Sequence, residues 1–220
     1  MTTNTKERMM PGAVIVGAGP GIGRSVARRF AGEGMPVALV SRTGRTLDVE
    51  GARGYRADCA DEDALRAALD AARADQGVPD VVVYNAAIIR PDTAGEATVR
   101  AHLDAWAVNV VGALVTAAHV APAMAGRGGG TFLVTGGMPE PRREYVSLSL
   151  GKSGVRTLVA LLDQEYGPSG VHVASVTVAG PVAPGTPFDP DVIAEHYWHL
   201  HTQPRDRWEH EILHTGQDAA

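Results

Sequence analysis

The stretch Ala13-Val14-Ile15-Val16-Gly17-Ala18-Gly19-Pro20-Gly21-Ile22-Gly23 decides the fold. A short apolar run bounded by glycines reads as a buried strand. The helical pattern that follows extends to Gly34. Between strand and helix the backbone turns sharply, and side chains there would obstruct anything lying against it. The first turn of the helix then offers free N–H groups and a positive dipole end, the chemistry that receives a pyrophosphate. The commoner dinucleotide spacing fails because Ile22 stands where its third glycine is required; the spacing that fits is Gly-x-x-x-Gly-x-Gly, at Gly17, Gly21 and Gly23. Gly17, Gly19, Gly21, Ile22 and Gly23 are the expected contacts to a dinucleotide.

Outward from this turn the chain alternates between β-branched runs and Ala/Leu/Arg-rich stretches. Strands are predicted at Ala13–Val16, Val37–Val40, Gly54–Ala57, Val81–Tyr84, Thr131–Val134 and Val171–Val178. Helices are predicted over Gly21–Gly34, Asp61–Gln76, within Ala97–Ala125 and over Ser147–Tyr166. Within Ala97–Ala125, Trp106, Val110, Leu114 and Ala117 recur at near-helical spacing. Strands apolar on both faces and separated by helices imply a mostly parallel sheet covered on both sides. Right-handed crossovers make it a single doubly wound, Rossmann-type α/β domain. We divide the chain into a flexible N-terminus (1–11), the dinucleotide-binding core (12–183) and a substrate-loop and C-terminal tail (184–220) packed on the same domain. The tail reads as a loop, one or two short helices and a last edge strand, Glu211–His214.

Composition narrows the function. At 220 residues and 45% hydrophobic, the chain can bury the core of one α/β domain. A formal charge of -5 without a basic stripe argues against nucleic acid as a partner. The lone Cys59 permits no internal disulfide. No continuous apolar stretch approaches about 18 residues and no apolar signal core opens the chain, so neither a membrane partner nor export is expected. The expectation is a cytoplasmic protein acting on a small molecule.

The glycine spacing resembles the short-chain dehydrogenase/reductase family, and other segments agree in order from about Pro11 to Thr186. Asp58 and Cys59, after the third strand, fall where the family flanks the adenine. Asn85-Ala86-Ala87 resembles its Asn-Asn-Ala-Gly segment. Asn109 and Lys152 resemble its active-site asparagine and lysine. Pro181, Val182 and Thr186 resemble the loop that meets the nicotinamide carboxamide. The resemblance implies an oxidoreductase, commonly a homo-oligomer assembled through its long helices. At the end of the second strand an NAD enzyme usually carries an acid for the ribose 2′-OH. Here Ser41 and Arg42 stand instead, donors suited to a 2′-phosphate, so NADP(H) is the expected cofactor in preference to NAD(H).

The active site departs from that family. Four residues before Lys152, where its proton-donating tyrosine belongs, the chain has Leu148; Gly137 stands where its serine belongs. Neither offers a hydroxyl. Tyr145 lies seven residues before Lys152, about two helical turns, and this Tyr-x6-Lys spacing resembles the enoyl-thioester reductase branch. There a tyrosine and a lysine stabilise a developing enolate. Lys152, Asn109 and Tyr145 are therefore the candidate catalytic residues for reducing a small carbonyl or conjugated C=C substrate. The rival readings are a scaffold repurposed for cyclisation, isomerisation or elimination, and an inactive dinucleotide-binding partner protein.

Five of the eight histidines fall in the tail: His196, His199, His201, His210 and His214. The pairs His196/His199 and His210/His214 have helix-face spacing. No cysteine is near and no glutamate sits between them in the metalloprotease pattern, so no metal site is expected. Tyr197, Trp198 and His199 are either substrate contacts or packing residues.

Overall fold

A computed structural model describes residues 12–217. The expected N-terminal arm, 1–11, lies outside the described residues. Seven strands, β1 (Ala13–Val16), β2 (Val37–Ser41), β3 (Arg53–Arg56), β4 (Val81–Tyr84), β5 (Gly130–Gly137), β6 (Val171–Val178) and β7 (Glu211–His214), form one sheet in the order β3-β2-β1-β4-β5-β6-β7. Every pairing is parallel. Strand order reverses between β1 and β4, so the crevice beyond their C-terminal ends lies between Gly17 and Asn85.

Six helices cover the two faces: α1 (Ile22–Gly32), α2 (Glu62–Gln76), α3 (Val99–Trp106), α4 (Gly112–Arg127), α5 (Val146–Tyr166) and α6 (Pro190–Thr202). One core joins α2, α4 and α5 to the sheet through Leu65, Phe132 and Val159. The other joins α1 and α6 to it through Phe30, Leu39 and Tyr197. β1 and β4 are buried along their whole length, which is why they read as unbroken apolar runs. The α2 start follows from Asp61, whose side chain accepts from the Ala64 amide at 3.0 Å while Glu62 and Asp63 favour the helix dipole.

The structure departs from the sequence pattern in three places. The long helix expected within Ala97–Ala125 is divided by a π-helical turn, Ala107–Val111, between α3 and α4. Of the apolar positions read along it, Val110 and Ala117 are buried whereas Trp106 and Leu114 are 42% and 46% exposed. β5 runs three residues past Val134, because Thr135, Gly136 and Gly137 pair with Val176, Thr177 and Val178 although they carry no apolar signal. His210 and His214 do not share a helix face: a single 3-10 turn, Arg205–Arg207, precedes β7, and Glu211–His214 pairs with Ser175–Val178. Among the described residues, Val99–Arg127 is the stretch long and apolar enough to cross a membrane by length and composition, and more than half of its most apolar window is buried in the domain.

Candidate active site

The glycines of the first turn do different work. Gly17 has φ +82°, and a Cβ there would sit 2.3 Å from the Ala86 amide nitrogen, so only glycine lets the turn pass under the β4 loop. At Gly23 a Cβ would come within 3.0 Å of Ala18 Cα, which explains how closely α1 docks on the turn. Gly19 and Gly21 would meet nothing within 4 Å. They face an open cradle. Among the described residues no side chain caps α1, and the Arg24 Nε at its start is buried without a hydrogen-bond partner. Open glycines, an uncapped helix start and an orphaned donor are what a dinucleotide phosphate would complete.

Across the switch point, Asn85 Nδ2 donates to the Gly17 carbonyl at 2.9 Å. Its Oδ1 accepts from the Thr135 hydroxyl at 2.8 Å, and the Tyr197 hydroxyl lies 2.6 Å from Thr135 Oγ1. Since the Thr135 proton goes to Asn85, Tyr197 donates to Thr135. A chain of polar groups thus runs from α6 through β5 and β4 to the glycine turn. Ala86 and Ala87 are half-buried beside it.

Ser41 ends β2 half-buried; its Oγ accepts from the Gly44 amide at 3.1 Å and lies 3.4 Å from the Thr43 hydroxyl. Arg42 is exposed. Asp58 is exposed and accepts from the Ala60 amide at 3.0 Å, and Cys59 is buried, with its thiol pushed up to about 11 by desolvation.

Lys152, on α5, is 7% exposed, and its Nζ donates to the Thr135 carbonyl at 2.6 Å. Among the described residues it has no ion-pair partner, and burial pushes its amine down to about 8. Two of its three N–H donors remain for a ligand. A Cβ on Gly137 would lie 3.6 Å from Lys152 Cε, in ordinary contact, so the end of β5 has methyl-sized room above the lysine stem. Leu148 is buried one turn earlier on α5.

Asn109 sits in the π-turn, 2% exposed; its Oδ1 accepts from the Ile88 amide at 2.7 Å and its Nδ2 donates to the Ile88 carbonyl at 3.4 Å. It therefore fastens the loop after Asn85-Ala86-Ala87. Tyr145 is the residue just before α5, at φ -142° and ψ 54°, half-buried and bridged to Asp92. The Asp92 carboxylate accepts from the Ser147 amide at 3.0 Å, and His102 Nδ1 lies 2.6 Å from the Ser147 hydroxyl, a knot that ties the β4 loop and α3 to the start of α5. Sequence reasoning missed this knot, whose three members are far apart in the chain.

Pro181, Val182 and Thr186 are exposed in the β6–α6 loop, where the Thr186 hydroxyl donates to the Ala183 carbonyl at 2.7 Å. The tail does not supply substrate contacts through Tyr197 or Trp198. Tyr197 is fully buried under the sheet, and Trp198 packs edge-on against Phe30. His199 is exposed beside Glu209. His196 Nε2 instead meets His214 Nδ1 at 2.9 Å, and His214 Nε2 donates to the Pro187 carbonyl at 2.8 Å, tethering the loop to β7. A cavity of about 390 Å³ lies at the opposite end of the strands, beside the N-terminal ends of β4, β5 and β6, lined by Asp80, Arg127, Thr131, His172 and Trp208. It is remote from the glycine turn, and Arg127 there is already engaged by the Val78, Pro79 and Gly129 carbonyls.

The glycine turn, the switch-point asparagine and the buried lysine are joined through Thr135 by hydrogen bonds. The profile of the short chain dehydrogenase family matches residues 12–190. This chain belongs to that family. It is 28% identical over 181 residues to D-threitol dehydrogenase of Mycolicibacterium smegmatis, covering 75% of this chain and 68% of that protein. It is 30% identical over 193 residues to cis-4-hydroxycyclohexanecarboxylate dehydrogenase of Sinomonas cyclohexanicum, covering 80% and 77%. Among solved structures, a short-chain dehydrogenase from Rhodopseudomonas palustris superposes with a TM-score of 0.83 at 25% identity, covering 92% of this chain and 97% of that one. An alcohol dehydrogenase of Thermococcus sibiricus, solved with 5-hydroxy-NADP, shares the fold at a TM-score of 0.83 and 24% identity, covering 96% and 99%. The chain thus belongs to a family of oxidoreductases that bind nicotinamide dinucleotides.

Proposed function

We propose that this protein is an NADP(H)-dependent oxidoreductase that reduces a small carbonyl or conjugated C=C substrate at an atypical active site. The observation that carries the reading is Lys152: a buried amine, without an ion-pair partner among the described residues, that uses one of three donors on Thr135 and sits beside Gly137 at the end of β5. Gly19, Gly21, Ile22 and Gly23 would hold the pyrophosphate, Asp58 and Cys59 the adenine side, Asn85, Ala86 and Ala87 the groove floor, and Pro181, Val182 and Thr186 the carboxamide. Ser41 and Arg42 favour a 2′-phosphate over a 2′-hydroxyl. When bound, the cofactor supplies the hydride. Lys152 would bind the nicotinamide ribose and hold positive charge near the substrate oxygen, Asn109 would order the Ile88 loop and its water, and Tyr145 would donate the proton or stabilise the enolate.

Calorimetric titration with NADPH and NADH, followed by NADPH oxidation with cyclohexenone and cyclohexanone, tests the proposal. Tighter NADPH binding with turnover of the enone supports it. Leu148, apolar and buried before Lys152, favours a second reading, a non-redox or inactive dinucleotide-binding protein. NADPH binding without oxidation of any substrate would select it. A cytoplasmic homo-oligomer belongs to the same proposal: Leu103, Trp106 and Leu114 on α3 and α4, with Leu150 and Leu161 on α5, leave large apolar side chains exposed. Light scattering of the purified chain decides between monomer and oligomer.

A further inference from the structure

Tyr84 closes an otherwise aliphatic strand, and its hydroxyl, 1% exposed with the ring, must find a partner inside the domain. It finds the Val108 carbonyl, donating to it at 2.5 Å. That carbonyl belongs to the π-turn, and the turn explains why it is available. In α-helical order the Gly112 amide would donate to Val108; here it donates to Ala107 instead, one residue further back. Val108 thereby loses its regular donor, and a buried carbonyl without one is costly. The Tyr84 hydroxyl replaces it. Gly112 makes room for the exchange, because a Cβ there would lie 2.2 Å from the Tyr84 hydroxyl and 2.8 Å from the Cys59 carbonyl.

We propose that Tyr84 is a positioning residue, whose buried hydroxyl holds the turn 107–111 in its π-helical winding and so aims Asn109 at Ile88. One residue after Val108, Asn109 grips both backbone groups of Ile88. Rewinding the turn to α-helical order would rotate Asn109 by about a quarter turn around the axis and release that grip. The loop beyond Asn85 would then lose its fastening at the nicotinamide end of the groove, whereas the glycine turn, tied to Asn85, would keep its own. The inference rests on the assignment of Asn109 to the active site.

Hydrogen exchange by mass spectrometry, NADPH calorimetry and steady-state kinetics with cyclohexenone, on wild type, Tyr84→Phe and Gly112→Ala, test it. The phenylalanine keeps the ring and removes the hydroxyl, with its bond to Val108 and its contact with the Cys59 thiol. Amides over 107–113 exchange at least about tenfold faster in Tyr84→Phe, while those of α2 keep wild-type rates. NADPH affinity stays within about twofold. kcat falls by roughly ten- to a hundredfold at a nearly unchanged KM. Gly112→Ala, which displaces the hydroxyl by crowding, shows the same local pattern. Unchanged exchange over 107–113 in Tyr84→Phe overturns the inference, as does uniform acceleration in every helix with parallel loss of NADPH affinity, the mark of a core defect. If wild type oxidises no NADPH, the redox reading fails, and exchange over 107–113 still decides the role of Tyr84.

Discussion

Lys152 Nζ lies 2.6 Å from the Thr135 carbonyl oxygen, and among the described residues that is the one hydrogen bond its buried amine makes. A charge held this way costs stability, because desolvation is offset by one dipole and no carboxylate. The folded amine has a pKa of about 8 against 10.5 for a free lysine. The unfolded chain therefore binds more protons between those values, and the folded protein gains stability as pH rises through that window. Below pH 8 the penalty is fully present. Lys152→Met removes it and should stabilise the cofactor-free protein at pH 7 by about 2 kcal/mol, the difference between desolvation relieved and hydrogen bond lost. Calorimetric melting of both proteins at pH 7 and at pH 10 checks this. The advantage of the variant should shrink at the higher pH, and its turnover should be lost throughout; a variant less stable than wild type at pH 7 would show that the buried amine is neutral there.

Thr135→Val tests the polar chain beneath the site. The valine keeps the shape but strands two groups at once, the Tyr197 hydroxyl and Asn85 Oδ1. Each orphan costs about 1–3 kcal/mol when buried, and Asn85 is only half-buried, so the total should be about 2–3 kcal/mol. Tyr197→Phe strands none, since Thr135 keeps its acceptor, and should cost less. Urea denaturation of the two variants gives the order. Equal costs would mean that Tyr197 and Thr135 do not share a proton.

The doubly wound sheet was legible because β1, β2 and β4 are buried and carry no polar interruption until their C-terminal ends, and because β6 keeps Val171, Val173, Val176 and Val178 around its buried His172, Ser175 and Thr177. The glycine turn was legible because φ +82° at Gly17 and the close approach at Gly23 admit little else. The π-turn was not. Ala107-Val108-Asn109-Val110-Val111 is compatible with continuous helix, and what unwinds it is a hydroxyl contributed by Tyr84 from another strand. The tail misled for a related reason: Tyr197 has the same amphipathic chemistry whether it meets a substrate or a buried threonine, and only the register of α6 against the sheet chose the latter. The knot of Asp92, His102 and Ser147 joins residues up to 55 positions apart, beyond the reach of any local pattern.

The proposed preference for NADP(H) rests on Ser41 and Arg42. Ser41→Asp with Arg42→Leu introduces a carboxylate that accepts from a 2′-hydroxyl and repels a 2′-phosphate. The pair should move preference from NADPH to NADH by about a hundredfold or more, since one charge-assisted contact is lost and one repulsion is gained. Separate calorimetric titrations of both dinucleotides measure it. Tighter binding of NADH by wild type would remove Arg42 from the 2′-phosphate site.

The last prediction concerns the chemistry itself. Leu148 and Gly137 stand where the family's proton-donating tyrosine and its serine belong, so an isolated ketone should be a poor substrate and cyclohexenone should be reduced faster than cyclohexanone. If Tyr145 and Lys152 act together on the developing enolate, Tyr145→Phe should lower kcat more than it raises KM, because the hydroxyl would act mainly in the transition state. Loss of one such donor typically costs about 10²–10³ in kcat. Gly137→Ser should be accepted, since its Cβ would meet Lys152 Cε at 3.6 Å without displacing backbone. Combined with Leu148→Tyr, which returns a hydroxyl one turn before Lys152, it should raise ketone reduction relative to enone reduction. Steady-state NADPH oxidation by wild type, Tyr145→Phe and the double variant with both substrates supplies the comparison. Equal kcat for wild type and Tyr145→Phe on every active substrate would make Tyr145 a bystander at the start of α5, and the proton would then have to come from Lys152 or from water.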